Sequence, residues 1–340
     1  MSLRKKTVIV ISLALLAAIA FLSLISGTIL LLGFRQLEER NLEQHVQRVL
    51  NALSDDLNVL ESIARDWAWW DDTYRFIQDG NTAYIESNLI DDTFQTLRIN
   101  LMLFINLQGE VVFSKAYDYH VQETLALPAS VQGHLLAEYG PAEASRVGVR
   151  SGVVLLQGRP MLSVAIPILN STGDLPPQGV MFWGRFLESA EIQRLATLTQ
   201  LSLTMHPFYD PQVPADFQTA RTFLSADSPV HVQPLTDETI AGYALVQDMQ
   251  GEPALILKVE TARDIYHQGQ STIWALILGV LGVSAMIGIL ILVLLERVVL
   301  ARIMRFTAEV QAIGESGDRS ARVSVLGADE LAGLASTVNA

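Results

Sequence analysis

Two stretches of the chain carry no charge and almost no polarity: Thr7 to Phe34 and Ile273 to Leu295. Each exceeds the roughly 20 residues needed to cross about 30 Å of hydrocarbon, so both are expected to be transmembrane helices, 7–34 and 273–295. After the first the period changes. Leu42, Val46, Val49, Leu53, Leu57, Leu60, Ala64 and Trp67 recur at spacings of three and four, and no glycine or proline interrupts residues 34 to 79. That pattern predicts one amphipathic helix that continues the first span outward as a stalk and ends at the Gln78–Asn81 stretch. A stripe this long wants a partner, either its own domain or the same helix of a second subunit.

Strand-like segments follow. Residues 101–106, 111–115, 151–157, 161–169 and 179–186 alternate or run apolar between glycine-containing turns, with hairpins around Gly109 and Gly158. Residues 187–200 read as an amphipathic helix. Residues 201–206, 230–235, 240–248 and 253–260 read as short strands, and the proline-rich stretch 206–229 reads as loop. Beyond the second span, Val299, Ile303, Phe306, Val310 and Ile313 alternate spacings of four and three as a heptad seam. Glycines and an alternating Val323/Val325 pair break it at 314–330. Leu331, Leu334 and Val338 open a second seam. A long helix feeding an antiparallel sheet with hairpins and a side helix resembles PAS/Cache-like sensor lobes, so the fold class expected by that resemblance is α+β: two membrane helices flanking a PAS/Cache-like sensor with a long N-terminal stalk helix, followed by a coiled-coil segment.

Composition and charge refine this outline. Half of the residues are hydrophobic, and the mean hydropathy is +0.32. Arg4, Lys5 and Lys6 precede the first span, while Arg297, Arg302 and Arg305 follow the second. Excess basic residues mark the cytoplasmic side, so residues 1–6 and 296–340 are expected inside and 35–271 outside, with the outer domain over 35–270, at an inner (plasma) membrane. Ala18 and Ala20 form a signal-peptidase-like site, but the apolar run passes far beyond a typical leader, which favours an uncleaved anchor. Residues 36–272 hold 14 Lys and Arg against 30 Asp and Glu. An outer domain this acidic is a poor partner for nucleic acid. Cysteine is absent, which removes disulfides, thiol catalysis and thiolate metal sites.

Aromatic residues concentrate in Ala64–Ile77, ARDWAWWDDTYRFI. On a helical wheel Ile63, Trp67, Trp70, Tyr74 and Ile77 fall within about 80°, one apolar stripe. Asp66, Trp69, Thr73 and Phe76 form a neighbouring face, and Asp71, Asp72 and Arg75 lie opposite as a charge-paired surface. A buried helix face accounts for most of the cluster. Asp66 and Trp69 sit at the border between faces, where an indole N–H and a carboxylate can orient a small ligand.

The stretch 66–76, DWAWWDDTYRF, with 97–118, 155–169, 179–187 and 251–269, resembles the CHASE extracellular sensor domain of the fourth type. The likeness runs over about residues 60–270, with a core at 60–205 and membrane-proximal strands at 206–262. It implies a receptor of signal transduction and supplies no ligand. Candidate ligand-binding residues are Asp66, Trp69, Asp71, Arg98, Tyr117 and Arg185. Residues 296–340 resemble a HAMP linker. The family's usual proline in the first helix is replaced at the position aligned with Arg302, and the second helix is short, so the linker is expected to be truncated.

None of the six histidines stands at metal-ligand spacing, and no phosphate loop, dinucleotide turn or nucleophile elbow occurs. No cofactor and no metal are expected, and no catalytic motif is present. The expectation is the input half of a membrane receptor, a homodimer that detects an unknown small molecule and relays it to a cytoplasmic output. Two alternatives remain. One is a receptor enzyme, a diguanylate cyclase or phosphodiesterase or a histidine kinase, with its catalytic part beyond Ala340. The other is a membrane-anchored module that binds another protein.

Overall fold

The computed structural model describes residues 3–141, 148–316, 323–324 and 330–339. The chain forms two compact units, Met1–Gln36 with Ile265–Ala340, and Leu37–Asp264. Helix α1 (Leu3–Ala68) runs through both as one element.

The first unit is helical. The start of α1 and helix α8 (Asp264–Leu294) belong to the two helices long and apolar enough to cross a membrane by length and composition. Gly269 lets them approach, because any Cβ there would strike the Phe34 ring. A π-helical turn (Leu295–Leu300) leads into α9 (Ala301–Ser316), and α10 is Glu330–Asn339. Ile303, Phe306 and Ile313 of the expected seam lie half-buried on α9, whereas Val310 is exposed. Val323 is buried, and Ser324 donates its amide to Glu309 at 2.9 Å. Val325 lies outside the described residues.

The second unit is α+β. Its elements are α2 (Asp71–Asp79), α3 (Thr82–Asn88), α4 (Asp91–Leu97), β1 (Leu101–Asn106), β2 (Val111–Asp118), β3 (Glu123–Leu125), α5 (Ala129–Tyr139), β4 (Arg150–Leu156), β5 (Arg159–Pro167) and β6 (Gly179–Phe186). There follow α6 (Ser189–Thr199), β7 (Ser202–Pro207), α7 (Ala215–Arg221), β8 (Val230–Pro234), β9 (Thr239–Gln247) and β10 (Pro253–Ala262). The strands make two antiparallel sheets, β3-β2-β1-β6-β5-β4 and β7-β10-β9-β8.

The stripe read from sequence is the spine of both. Leu42, Val46, Val49, Leu53, Leu60, Ala64 and Ala68 of α1 are buried in one cluster with Met102, Phe104, Val164, Met181 and Trp183 of the first sheet and Ala244, Leu257 and Val259 of the second. Strand alternation sends the other half of each strand outward. Leu101, Leu103, Ile105, Val180 and Phe182 meet Val131, Leu135 and Tyr139 of α5. Tyr243, Leu245 and Ile256 meet Phe217 and Ala220 of α7. Strand β6 is buried along its whole length, which explains its unbroken apolar sequence.

The structure corrects the sequence reading at several points. The stalk helix does not continue to Asp79. It stops at Ala68, and Trp70 is extended (φ −95°, ψ 134°). The freed carbonyl of Ala68 accepts Leu169 N at 3.1 Å, and Asp71 and Asp72 begin a new helix where its dipole favours acids. The break rotates the register. Thr73, Phe76 and Ile77 become the buried face, and Trp70 is 41% exposed instead of core. The region expected as loop contains α7, and α3, α4, β3 and α5 were not anticipated.

Candidate functional site

The stalk-facing side of the first sheet carries an ion network assembled from four elements and the turn after β2. Helix α4 ends at Arg98, whose left-handed backbone (φ 54°) turns its last carbonyls toward β6. Arg185 of β6, 5% exposed, donates from Nε to Arg98 O at 2.6 Å and from Nη2 to Leu97 O at 3.1 Å. Burial lowers the Arg185 pKa, which the charges of Tyr119 and Glu191 offset only in part. The Arg98 guanidinium turns to Glu191 of α6. That carboxylate also accepts from Tyr119 Oη at 2.7 Å and from Arg194 Nε at 2.8 Å. Arg194 then reaches Asp56 of α1. Burial first, and the Glu191 carboxylate second, push the Tyr119 hydroxyl well above its ordinary value, so it stays a donor. The network therefore joins sheet, α4, α6 and stalk through charge-assisted bonds.

Three of the six candidates lie in or beside it. Arg98 and Arg185 are members. Tyr117 is buried on β2, where its hydroxyl accepts from Gln95 at 3.0 Å and its carbonyl from Asn100 Nδ2 at 2.9 Å. The other three lie at the stalk break. Asp66 is exposed. Trp69 is half-buried, with the Arg65 guanidinium 5.4 Å from its ring, and its indole N–H is buried without a hydrogen-bond partner. Asp71 is exposed and accepts the Ser171 amide at 2.9 Å, which holds its carboxyl below the usual range. Of the aromatic cluster, Trp67 packs edge-on against Trp183 at 5.6 Å, and Phe76 stacks on Tyr84 at 4.5 Å.

Glu191, Arg194, Tyr119 and Asp56 were missed. One signal was present. Glu191 lies on the stripe Glu191, Leu195, Thr199 of α6, all buried, so it is an acid on the apolar face of an amphipathic helix. Only the fold brings it partners from positions 98 and 119, and brings Arg194 to Asp56.

The opposite side of the sheet, under α5, holds an apolar cavity of about 130 Å³ lined by Leu101, Ala116, Leu125, Val131, Leu156 and Phe186. Arg159 also borders it, its guanidinium 3.9 Å from the Phe186 ring centroid and 2.7 Å from Glu188. Such walls fit a small ligand and offer no nucleophile. No group of three or more metal-ligating side chains occurs among the described residues.

Residues 52–206 match the CHASE4 domain family. Over 336 residues the chain is 28% identical to the methanogenesis regulatory histidine kinase FilI of Methanothrix harundinacea. That alignment takes in 97% of this chain and 36% of the relative, so the chain spans about a third of the length of the protein it matches. Among solved structures, the sensory domain of the Campylobacter jejuni chemoreceptor Tlp3 aligns with a TM-score of 0.45 and 11% identity, over 71% of this chain and 99% of its own. The periplasmic domain of Vibrio cholerae LuxQ aligns with a TM-score of 0.41 and 12% identity, over 65% and 99%.

Proposed function

With a CHASE4 sensor domain at residues 52–206 on a chain that has two helices fit to cross a membrane, we propose that this protein is the input half of a transmembrane signal-transduction receptor. The observation that carries the reading is the continuity of α1. One helix begins as a membrane-grade apolar run and ends as the buried spine of the sensor. A shift of that spine within the sensor has a covalent route to the membrane.

In this reading both termini are cytoplasmic, residues 35–271 lie outside, and 296–340 are a HAMP-type linker in a subunit pair. A small extracytoplasmic molecule favours one of two arrangements of the stalk, and it shifts the balance only by its difference in affinity between them. Exposure of Asp66 and Asp71 supports direct ligand contact there. Burial of Tyr117 and Arg185, with half-buried Arg98 held in the ion network, supports a relaying role. The histidine kinase relative supports a kinase as the output.

The test is a thermal-shift screen of the full chain in lipid nanodiscs against small metabolites. One that raises Tm saturably should also change the output of residues 1–340 fused to a reporter kinase. A chain that no metabolite stabilises, and whose fusion ignores them all, refutes the reading.

A further inference from the structure

The outer face of the first sheet holds a row of residues that apolar packing alone leaves unexplained. Strand register sets Leu125, Ala116, Leu101, Gly184, Ser163 and Gly152 side by side across all six strands. Directly opposed residues share a face. Leu125, Ala116 and Leu101 line the cavity of about 130 Å³. Gly184 comes next, and the space a side chain would take is filled by the Met161 thioether, whose Cε would lie 2.7 Å from a Cβ there. Beyond it Ser163 is fully buried, and its hydroxyl has no hydrogen-bond partner. Gly152 ends the row. A Cβ there would meet Met249 Cγ at 2.9 Å.

A buried hydroxyl without a partner is destabilising, and alanine at 163 would be the better choice for a closed core. Glycine in mid-strand likewise weakens a sheet unless something must approach its backbone. Methionine is the side chain most able to vacate a space, having three rotatable bonds. If Met161 turns away, the cavity runs over Gly184 to the Ser163 hydroxyl. With strands about 4.8 Å apart, that extension from Leu101 is about 10 Å long.

We infer that this face is a ligand groove plugged by Met161, and that it takes a short, uncharged, linear molecule with an apolar body and one terminal hydroxyl, carbonyl or amide group for Ser163. Among the described residues lining the cavity the charged side chain is Arg159, already paired with Glu188, and at the Met249 end Arg150 is turned onto the Tyr139 ring and the Glu138 and Met249 carbonyls, so a neutral polar end fits better than a charged one. Occupancy reaches Met249 next. Met249 stands at the tip of the β9–β10 hairpin, where its amide meets Val153 O at 3.3 Å and the neighbouring Gln250 donates to Tyr139 Oη at 3.0 Å. The inference rests on the sensing role proposed above and names the chemistry sensed.

The test uses the full chain in lipid nanodiscs with ¹³C-methyl methionine, titrated with pentanamide and with 1-pentanol. The Met161 and Met249 signals, assigned with Met161→Leu and Met249→Leu, should move saturably, while those of Met102 and Met181 on the opposite face stay. Ser163→Ala should weaken binding about tenfold, the worth of one hydrogen bond. Met161→Ala, lacking the plug, should bind severalfold more tightly, read at Met249. Equal affinity in wild type and Ser163→Ala overturns the inference, as does silence at Met161 and Met249 with both probes, in wild type and Met161→Ala. A metabolite that stabilises the chain and leaves both methyls unmoved keeps the sensing role and rejects this groove.

Discussion

Glu38 and Arg263 form a buried ion pair: Glu38 Oε2 accepts from Arg263 Nε at 3.2 Å and from Nη2 at 3.1 Å, and the two residues are 4% and 8% exposed. Arg263 also donates its amide to Glu238 O at 2.9 Å and a guanidinium N–H to Thr236 O at 3.4 Å. The pair ties the stalk to the end of β10, one residue before α8 begins. Both chain segments that enter and leave the sensor are thus fixed to each other at its edge.

Breaking a buried pair strands a charge and costs about 3–5 kcal/mol. Glu38→Ala should therefore lower the unfolding free energy of the sensor by about that amount, read from urea titration. An Arg263→Met, Glu38→Met double variant should recover most of the loss, because it buries no unpaired charge.

Glu191 and Asp56 share Arg194 but differ in exposure. The Glu191 side chain is 3% exposed, whereas Asp56 and Arg194 are 18% and 28% exposed. Glu191→Gln should cost about 3 kcal/mol or more, since it weakens bonds to Arg98, Tyr119 and Arg194 at once. Asp56→Asn should cost about 1 kcal/mol or less. Equal losses in denaturant titrations would mean that the network is not centred on Glu191.

Burial, opposed in part by the hydrogen bond with Thr73 at 2.6 Å, pushes the Tyr84 hydroxyl up to about 12. A raised folded pKa gives stability that is intact below the unfolded value near 10 and is lost as pH climbs toward 12. The Tyr84 contribution should fall by up to about 1.4 kcal/mol per pH unit across that window. Tyr84→Phe should flatten this part of the Tm–pH curve while lowering Tm at neutral pH through loss of the Thr73 bond.

Gly242 of β9 lies under the stalk. A Cβ there would stand 2.7 Å from Val46 Cγ2 and 3.0 Å from Leu42 Cγ. Gly242→Val should destabilise the sensor by about 1–3 kcal/mol through overpacking. Hydrogen exchange should show the loosening first in β8–β10 rather than in the first sheet, which meets α1 at Glu61 through Ser151 and at Trp67 through Trp183.

Much of this was legible along the chain. The two uncharged runs, the stripe from Leu42 to Trp67 and nine of the ten described strands follow from periods of 3.6 and 2, which are properties of neighbouring residues. The short elements α3, α4, β3 and α7 were not legible, since seven residues or fewer give too few repeats to establish a period. Trp70 shows the limit most clearly. Its spacing from Trp67 and Tyr74 predicts a continuous helix, yet the peptide after Ala68 is claimed by Leu169, a hundred residues away, and the helix restarts in another register.

The sequence by itself determined where the chain is apolar enough for a membrane, which face of the stalk is buried, and that no thiol is present. The tertiary structure decided which polar residues meet. Glu191 finds Arg98, Tyr119 and Arg194, Glu38 finds Arg263, and Ser163 is left beside two glycines and two methionines. The reason is physical. Burial of apolar side chains depends on periodicity that any short window reveals, whereas a charge or hydroxyl is satisfied by direction and distance, and these exist only after strands remote in sequence have been brought into register.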